Sequence, residues 1–217
     1  IGGALNLAGG TLRGAAGQVM TVGSLALDQA SNVNVALGAP SATRLFNVMG
    51  NLTLDGTLNV TDAGSFGQGV YRIFDYGGAL ADNGLVVGAM PAGMAGVVQT
   101  AIAKQVNLLV GGSIGDTMFW NGTHTIANGS VNGGSGTWMA GPTNWTNANG
   151  SVAGAWNSKF AVFQTNPGTV TVNNSAGAVS TTGMQFIGSG WTVAGDAITL
   201  NGDNGQTTIR VGDGTAA

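Results

Sequence analysis

The chain has 217 residues, enough to bury a substantial core in one or two domains. Forty residues are glycine, only 7% are charged, and the formal net charge is −3. The six basic residues are scattered along the sequence, which argues against nucleic-acid partners because a phosphate-backbone site needs clustered Lys and Arg. Cysteine is absent, so disulfides, thiol catalysis and thiolate zinc sites are excluded.

The first 37 residues contain short segments between glycines in which every second residue is Leu or Val, such as Leu5-Asn6-Leu7, Leu25-Ala26-Leu27 and Val33-Asn34-Val35. Such alternation predicts strands with one apolar face. Leu25 follows Leu5 by 20 residues, and Leu52 follows Leu27 by a similar step, which is typical of stacked repeats. One repeat cannot bury its apolar face alone, so the pattern predicts a solenoid whose successive coils cover one another.

The segment 47–60 contains two strand-like segments separated by Asp55-Gly56. We predict a corner between two faces of the solenoid at this dipeptide, and a two-residue hairpin turn is the alternative. The segment 66–76 is rich in aromatic residues. We expect these side chains to fill the core at a bend, with a carbohydrate-stacking surface as the sharper alternative.

Two further strands are predicted within 83–88 and 106–110. Between them, the segment 92–103 is small and apolar, and Gly93 and Gly96 favour a loop over the core rather than a helix. We therefore predict a single β-helical domain over 1–217, with a weak junction between coils near 111–118.

The segment from Phe119 to Leu200 contains all five Trp residues, in β-prone words separated by Gly, Asn and Ser. We expect the Trp side chains to form a core, with a binding stripe for glycan or protein as the alternative. Seven Asn-Gly pairs in the chain predict sharp turns. Inward-facing Asn side chains could stack into amide ladders, and the segment 206–211 is predicted to begin another coil.

Few residues in the sequence offer catalytic chemistry. The single His124 lies beside a turn and, without cysteine, cannot form a His-rich metal site. Ser189 lies between two glycines but lacks the Gly-x-Ser-x-Gly spacing of a nucleophile motif. We predict that the chain is not an enzyme and needs no cofactor.

Two carboxylate patterns need consideration. Asp75 and Asp82, beside Tyr76, form the nearest aromatic-flanked pair for glycoside hydrolysis, which uses carboxyls ~5–10 Å apart. Asp203 and Asp213 lie in glycine-rich turns where oxygen ligands could suit calcium, although turn formation is the favoured role. The candidate ligand-contacting residues are Tyr76, Asp75, Asp82 and Trp120.

An ordered series of short sequence motifs runs through most of the chain: Phe46-Asn47-Val48, 52–60, 69–76, 119–122, 136–138, Asn144-Trp145, Trp156, 160–163, 169–172, 184–186 and 198–200. Each motif alone is common, whereas the ordered set is fairly specific. This order resembles the autotransporter-associated β-strand repeat of passenger domains in bacterial type V secreted proteins.

The resemblance implies an all-β, right-handed parallel β-helix that is elongated and displayed on a bacterial surface. It implies a non-catalytic adhesin scaffold or stalk, with host or neighbouring-cell surface proteins or glycans as partners. The abundance of Asn and Thr motivates a further hypothesis, self-association through the side surface. A β-helical carbohydrate-active enzyme or glycan-binding module is the alternative. Because the chain starts at Ile1 without Met, we expect an excised fragment, whose full-length protein is anchored by an outer-membrane β-barrel absent here.

Overall fold

The computed structural model describes residues 2–212, whose regular structure is β-strands and two short 3-10 helices. The chain divides into two compact units: unit 1 ends at Ile114 and unit 2 starts at Gly115. This boundary lies inside the segment 111–118 that the sequence marks as a junction. The expectation of one continuous domain over 1–217 stays a prediction.

Unit 1 is a solenoid in which each coil contributes one strand to each of three sheets. Its strands are β1 (Ala4–Leu7), β2 (Thr11–Ala15), β3 (Met20–Val22), β4 (Ser24–Leu27), β5 (Asn32–Leu37), β6 (Phe46–Val48), β7 (Leu52–Leu54), β8 (Thr57–Asp62), β9 (Gly69–Tyr76), β10 (Leu80–Asp82), β11 (Val86–Val87), β12 (Ala95–Gln99) and β13 (Gln105–Gly111). The first sheet has the order β1-β4-β7-β10, the second β2-β5-β8-β11, and the third β3-β6-β9-β13-β12.

Apolar residues of successive coils lie in register in these parallel sheets. Leu5 pairs with Leu25, Leu25 with Leu52, and Leu52 with Leu80. The partner of Leu52 is therefore Leu25, and the stacked repeat that the sequence predicts is confirmed. The second coil is longer than the first because a loop over 38–45 separates β5 from β6.

The Asp55-Gly56 dipeptide forms a corner, which confirms the prediction. The strands on its two sides, β7 and β8, belong to different sheets and pair with different partners. Asp55 Oδ1 accepts a hydrogen bond from the amide of Gly56, whose φ of 81° suits glycine. A hairpin is thereby excluded, since β7 and β8 do not pair with each other.

The third sheet ends in antiparallel strands rather than in another parallel one. β13 pairs antiparallel with β9, and β12 pairs antiparallel with β13. The loop expected over 92–103 is therefore wrong, because this segment contains β12. Val97 and Val98 lie opposite Leu109 and Leu108, and β-branched residues suit such a pairing surface.

An amide ladder forms in the second sheet, but it faces outward. Asn34 and Asn59 are register partners, and Asn59 Nδ2 donates to Asn34 Oδ1 at 3.0 Å. Their strand neighbours Val33, Val35 and Leu58 are the buried residues. The expected inward ladder is wrong here, because alternation along each strand assigns the inner positions to the apolar side chains.

The corner after β4 contains a carboxylate with a perturbed pKa. Asp28 Oδ1 accepts hydrogen bonds from Ser31 Oγ (2.7 Å) and from the Gly9 amide (3.0 Å). The bond from Ser31, and then that from Gly9, lowers the pKa of Asp28 below its usual 3.8. Because the folded pKa is lowered, the stabilisation is complete above the usual value and is lost as the pH falls through the folded pKa.

We therefore expect Asp28→Asn to lower the melting temperature more at neutral pH than at an acidic pH below the folded pKa of Asp28, where the wild-type carboxyl is also uncharged. Thermal unfolding followed by circular dichroism at both pH values measures this difference. An equal loss at both pH values would contradict the assigned hydrogen bonds to the ionised form.

Unit 2 repeats the parallel arrangement with different strands. These are β14 (Thr117–Trp120), β15 (Gly136–Trp138), β16 (Trp145–Thr146), β17 (Ala153–Gly154), β18 (Phe160–Phe163), β19 (Thr169–Val172), β20 (Ser180–Thr181), β21 (Gly183–Phe186), β22 (Thr192–Gly195), β23 (Thr199–Leu200) and β24 (Thr208–Val211). The 3-10 helices are Ile114–Asp116 and Asp203–Gly205. Parallel pairing joins β14-β18-β21-β24, β15-β19-β22 and β20-β23.

The other edge of β14 is covered by an antiparallel excursion of two short strands, β16 and β17. The coil predicted to begin within 206–211 is confirmed by β24, which pairs parallel with β21. Gly122 illustrates the Asn-Gly turns: its φ is 64°, and a Cβ there would lie 2.1 Å from the carbonyl oxygen of Gly133. Only glycine fits this approach.

The aromatic residues form the core of unit 2, as the sequence predicts. Trp145 lies at the centre, with ring centroids 5.1 Å from Trp120, 5.1 Å from Trp138 and 4.2 Å from Trp156. The ring centroid of Phe163 lies 5.8 Å from that of Trp145, and Phe163 stacks on Phe186 of the next coil. The fold class is therefore all-β with parallel stacked coils in both units. Within residues 2–212, antiparallel pairing is confined to the segments added at β9 and β14.

Candidate functional site

A row of polar side chains crosses the outer face of the third sheet in unit 1. Thr21, Asn47, Asp75 and Gln105 are register partners on β3, β6, β9 and β13. All four are half-buried, whereas their strand neighbours Phe46, Phe74 and Val106 are buried inside the solenoid. Strand alternation therefore places this row on the outside.

A groove of about 290 Å³ lies along this row, and we call it the Asp75 groove. Its lining residues are Asn47, Val48, Met49, Arg72, Asp75, Tyr76, Gly77, Lys104 and Gln105. The groove is a recess of the size that holds part of a small ligand.

Two guanidinium groups hold the carboxylate of Asp75. Arg72 Nη1 lies 2.8 Å from Asp75 Oδ1, and Arg44 Nη1 lies 3.3 Å from Asp75 Oδ2. Arg72 Nε also donates to Asn107 Oδ1 at 2.7 Å, and Asn107 Nδ2 donates to Gln99 Oε1 at 2.9 Å. Arg72 is thus fixed by a network, whereas the side chain of Arg44 is 43% exposed and makes one long contact.

Lys104 stands at the rim of the groove in a strained backbone conformation, with φ 67°. Its Nζ donates to the carbonyls of Gly77 (2.9 Å) and Gly78, and it lies 5.4 Å from the ring centroid of Tyr76. A Cβ at Gly77 would lie 2.1 Å from the carbonyl oxygen of Met49, so glycine is required where the two coils meet. These contacts fix the ammonium group at the surface.

Two buried polar atoms next to Asp75 have no hydrogen-bond partner in the protein. They are Gln105 Oε1, on the register partner of Asp75, and Arg44 Nε. Leaving a buried polar atom unpaired costs about 1–3 kcal/mol, and such atoms commonly mark the place of a water or ligand.

Asp82 does not join Asp75 in the groove. Asp82 lies on β10 in the first sheet, is exposed, and accepts a hydrogen bond from Thr100 Oγ1 at 2.9 Å. The structure therefore does not gather the two carboxylates around one groove. Tyr76 is 8% exposed and supports Lys104, so its ring offers no open stacking face.

Trp120 is fully buried in unit 2, and its Nε1 donates to the carbonyl of Gly134 at 2.7 Å. This position places it in the core and removes it from any surface that a ligand could reach. The sequence suggested it because the five Trp residues could form either a core or a binding stripe.

The other candidate residues are also dispersed. His124 is exposed, and its Nδ1 lies 3.1 Å from the carbonyl oxygen of Asn121. Asp203 lies in the second 3-10 helix, and Asp213 lies outside the described residues. Within residues 2–212, no three side chains of His, Cys, Asp or Glu lie close enough together to bind a metal ion.

The fold is a parallel β-solenoid, and unit 1 has a polar groove on an outer face. The chain is 45% identical over 213 residues, or 93% of its length, to the "Adhesin BmaC autotransporter" of Brucella suis biovar 1 (strain 1330). The match spans only 6% of that relative's length. This similarity confirms the resemblance to autotransporter passenger sequences.

No protein-family model matches the chain, and no solved structure matches it significantly. In the described part of the chain, no helix has the length and hydropathy needed to cross a bilayer.

Proposed function

We propose that this chain is a non-catalytic, surface-displayed segment of a bacterial autotransporter that serves as an adhesin scaffold. The observation that carries the proposal is the parallel stacking of coils in a chain 45% identical to part of an autotransporter adhesin. Ladder hydrogen bonds and stacked apolar residues stabilise each coil on the next, and outward side chains remain available for contacts.

The partners that we propose are proteins or glycans on host or neighbouring cells, together with further copies of the chain. The outer faces support this role because they present polar side chains, such as the Asn34–Asn59 ladder and the Asp75 groove. The separation of Asp75 from Asp82 gives no support to the alternative of a carbohydrate-cleaving enzyme.

Adhesion of coated beads to cells tests the proposed function. Beads carrying the 217-residue chain are expected to remain on epithelial monolayers, or on one another, several-fold more often than uncoated beads under flow. Soluble chain in excess is expected to compete with this retention. The Leu54→Asp variant is the matched control, because it changes one residue and is expected to lose the fold of unit 1 (see Discussion).

Retention and clumping no greater than those of uncoated beads would contradict an adhesive role for this segment. Retention equal to that of the Leu54→Asp beads would contradict an adhesive role for the folded unit 1. Release of reducing sugar from bacterial or host polysaccharides by the wild-type chain would contradict the proposal that it is not an enzyme.

A further inference from the structure

We propose that the Asp75 groove binds an anionic sugar residue of a glycan, through its carboxylate or sulfate group. The inference rests on the proposed adhesin function and specifies one ligand class for it. It is carried by a local excess of positive charge, an unpartnered buried acceptor and a half-apolar rim, which all lie around one groove.

The charge around the groove is opposite to that of the whole chain. The chain has a formal charge of −3 and only six Lys and Arg residues, yet three of them, Arg44, Arg72 and Lys104, lie at or beside this groove. Asp75 is the carboxylate among its lining residues. Positive charge therefore exceeds negative charge here, and an anion is attracted to it.

Lys104 and Arg44 have hydrogen-bond donors left over for a ligand. Lys104 has an ammonium group with three donors, of which the backbone carbonyls of Gly77 and Gly78 use two. The partly exposed Arg44 has five N–H donors and makes one contact of 3.3 Å with Asp75. A carboxylate or sulfate at the groove would accept charge-assisted hydrogen bonds from these groups, which are among the stronger polar contacts.

The remaining features of the groove suit a sugar better than a bare anion. Gln105 Oε1 is a buried acceptor without a partner, so it needs a donor such as a hydroxyl group, which inorganic anions such as sulfate or chloride lack. Met49 is 67% exposed at the rim, and its side chain offers an apolar contact for the C–H groups of a sugar ring. A hydroxylated ring with one acidic group combines all three requirements.

The strained conformation of Lys104 agrees with a binding role. A positive φ costs a residue with a side chain of order 1–3 kcal/mol, and Gly or Asn would fit this turn more easily. A lysine here directs an ammonium group over the ring of Tyr76 to the rim of the groove. Such strain is commonly found at functional sites.

The test is a titration of the ¹⁵N-labelled chain, followed by amide shifts in NMR spectra. The probes are 3′-sialyllactose for the carboxylate arm, N-acetylglucosamine 6-sulfate for the sulfate arm, and lactose and N-acetylglucosamine as their neutral counterparts. We expect one or both acidic probes to shift the amides of Met49, Lys104 and Gln105, and added salt to weaken the binding. The arm that binds identifies the anionic group.

Lys104→Gln is the variant for this test, because glutamine keeps a long polar side chain and removes the charge. It is expected to weaken binding about tenfold, the loss typical of one charge-assisted hydrogen bond. Lys159→Gln is the matched control, since Lys159 is a surface lysine of unit 2 that pairs with Asp116. A spectrum of Lys104→Gln with native dispersion confirms that its fold is intact, and Arg44→Gln replaces it if that dispersion is lost.

The proposal is overturned if neither acidic probe shifts these amides, if neutral sugars bind equally well, or if the Lys104→Gln and Lys159→Gln variants bind alike. Failure of the inference can be distinguished from failure of the proposed function. Beads that still adhere without any sugar binding would remove the groove and leave the adhesin role, whereas sugar binding without bead adhesion would remove the adhesin role.

Discussion

Leu54→Asp is expected to unfold unit 1 at room temperature. Leu54 is fully buried on β7, between β4 and β10 of the first sheet. Its removal forfeits about 1.5–3 kcal/mol of apolar burial, and an unpaired carboxylate at the same place adds several kcal/mol of desolvation cost. The sum is comparable with the roughly 5–15 kcal/mol that stabilises a whole domain.

Fluorine NMR of 3-fluorotyrosine-labelled protein measures this effect in unit 1 alone, because Tyr71 and Tyr76 are the two Tyr residues of the chain. Two separate resonances are expected in the wild type and a merged, unfolded-type signal in the variant. Thr53→Asp is the control, since Thr53 lies on the same strand, faces outward between Ala26 and Ala81, and should shift stability by about 0.5 kcal/mol or less. A native spectrum for Leu54→Asp would contradict the inward position of Leu54.

Trp145→Ala is expected to destabilise unit 2 by about 3–5 kcal/mol, the usual cost of removing a buried large aromatic side chain. Trp145 is fully buried, and four other rings lie within 6 Å of it by centroid distance. Its loss leaves a cavity at the centre of this cluster, and the aromatic pairs lose their mutual contacts as well. Urea unfolding followed by Trp fluorescence reports unit 2 alone, because all five Trp residues lie there.

Two further variants separate packing from polar effects. Trp145→Phe keeps an aromatic ring and removes an indole N–H that has no hydrogen-bond partner, so a loss well below that of Trp145→Ala is expected. Trp191→Ala removes a ring at the edge of the cluster, 5.6 Å from Phe163, and should also cost less. Equal losses for Trp145→Ala and Trp191→Ala would contradict the central role of Trp145.

Local sequence patterns identified some residues of the candidate site and missed others. Asp75 and Tyr76 were identified from the sequence as an aromatic-flanked carboxylate, and both line the groove. Lys104 was missed because it is one of six scattered basic residues, and Gln105 was missed because it lies just before a predicted strand. Both residues reach the groove because β13 pairs antiparallel with β9. The repeat spacing in the sequence relates only parallel coils, so this antiparallel pairing cannot be inferred from it.

The sequence by itself determined the stacked architecture and most of the strands, with β12 as an exception. Alternating segments such as Leu25-Ala26-Leu27 fix which side chains face inward, because the apolar face of a strand follows from the local two-residue period of its sequence. The recurrence of such segments requires coils that cover one another. Only the tertiary structure decided which polar residues meet. The antiparallel turn of β12 and β13 brings Lys104 and Gln105 beside Asp75, and the loop over 38–45 brings Arg44 to it. These contacts depend on loop lengths and strand direction, which no local pattern of residues specifies.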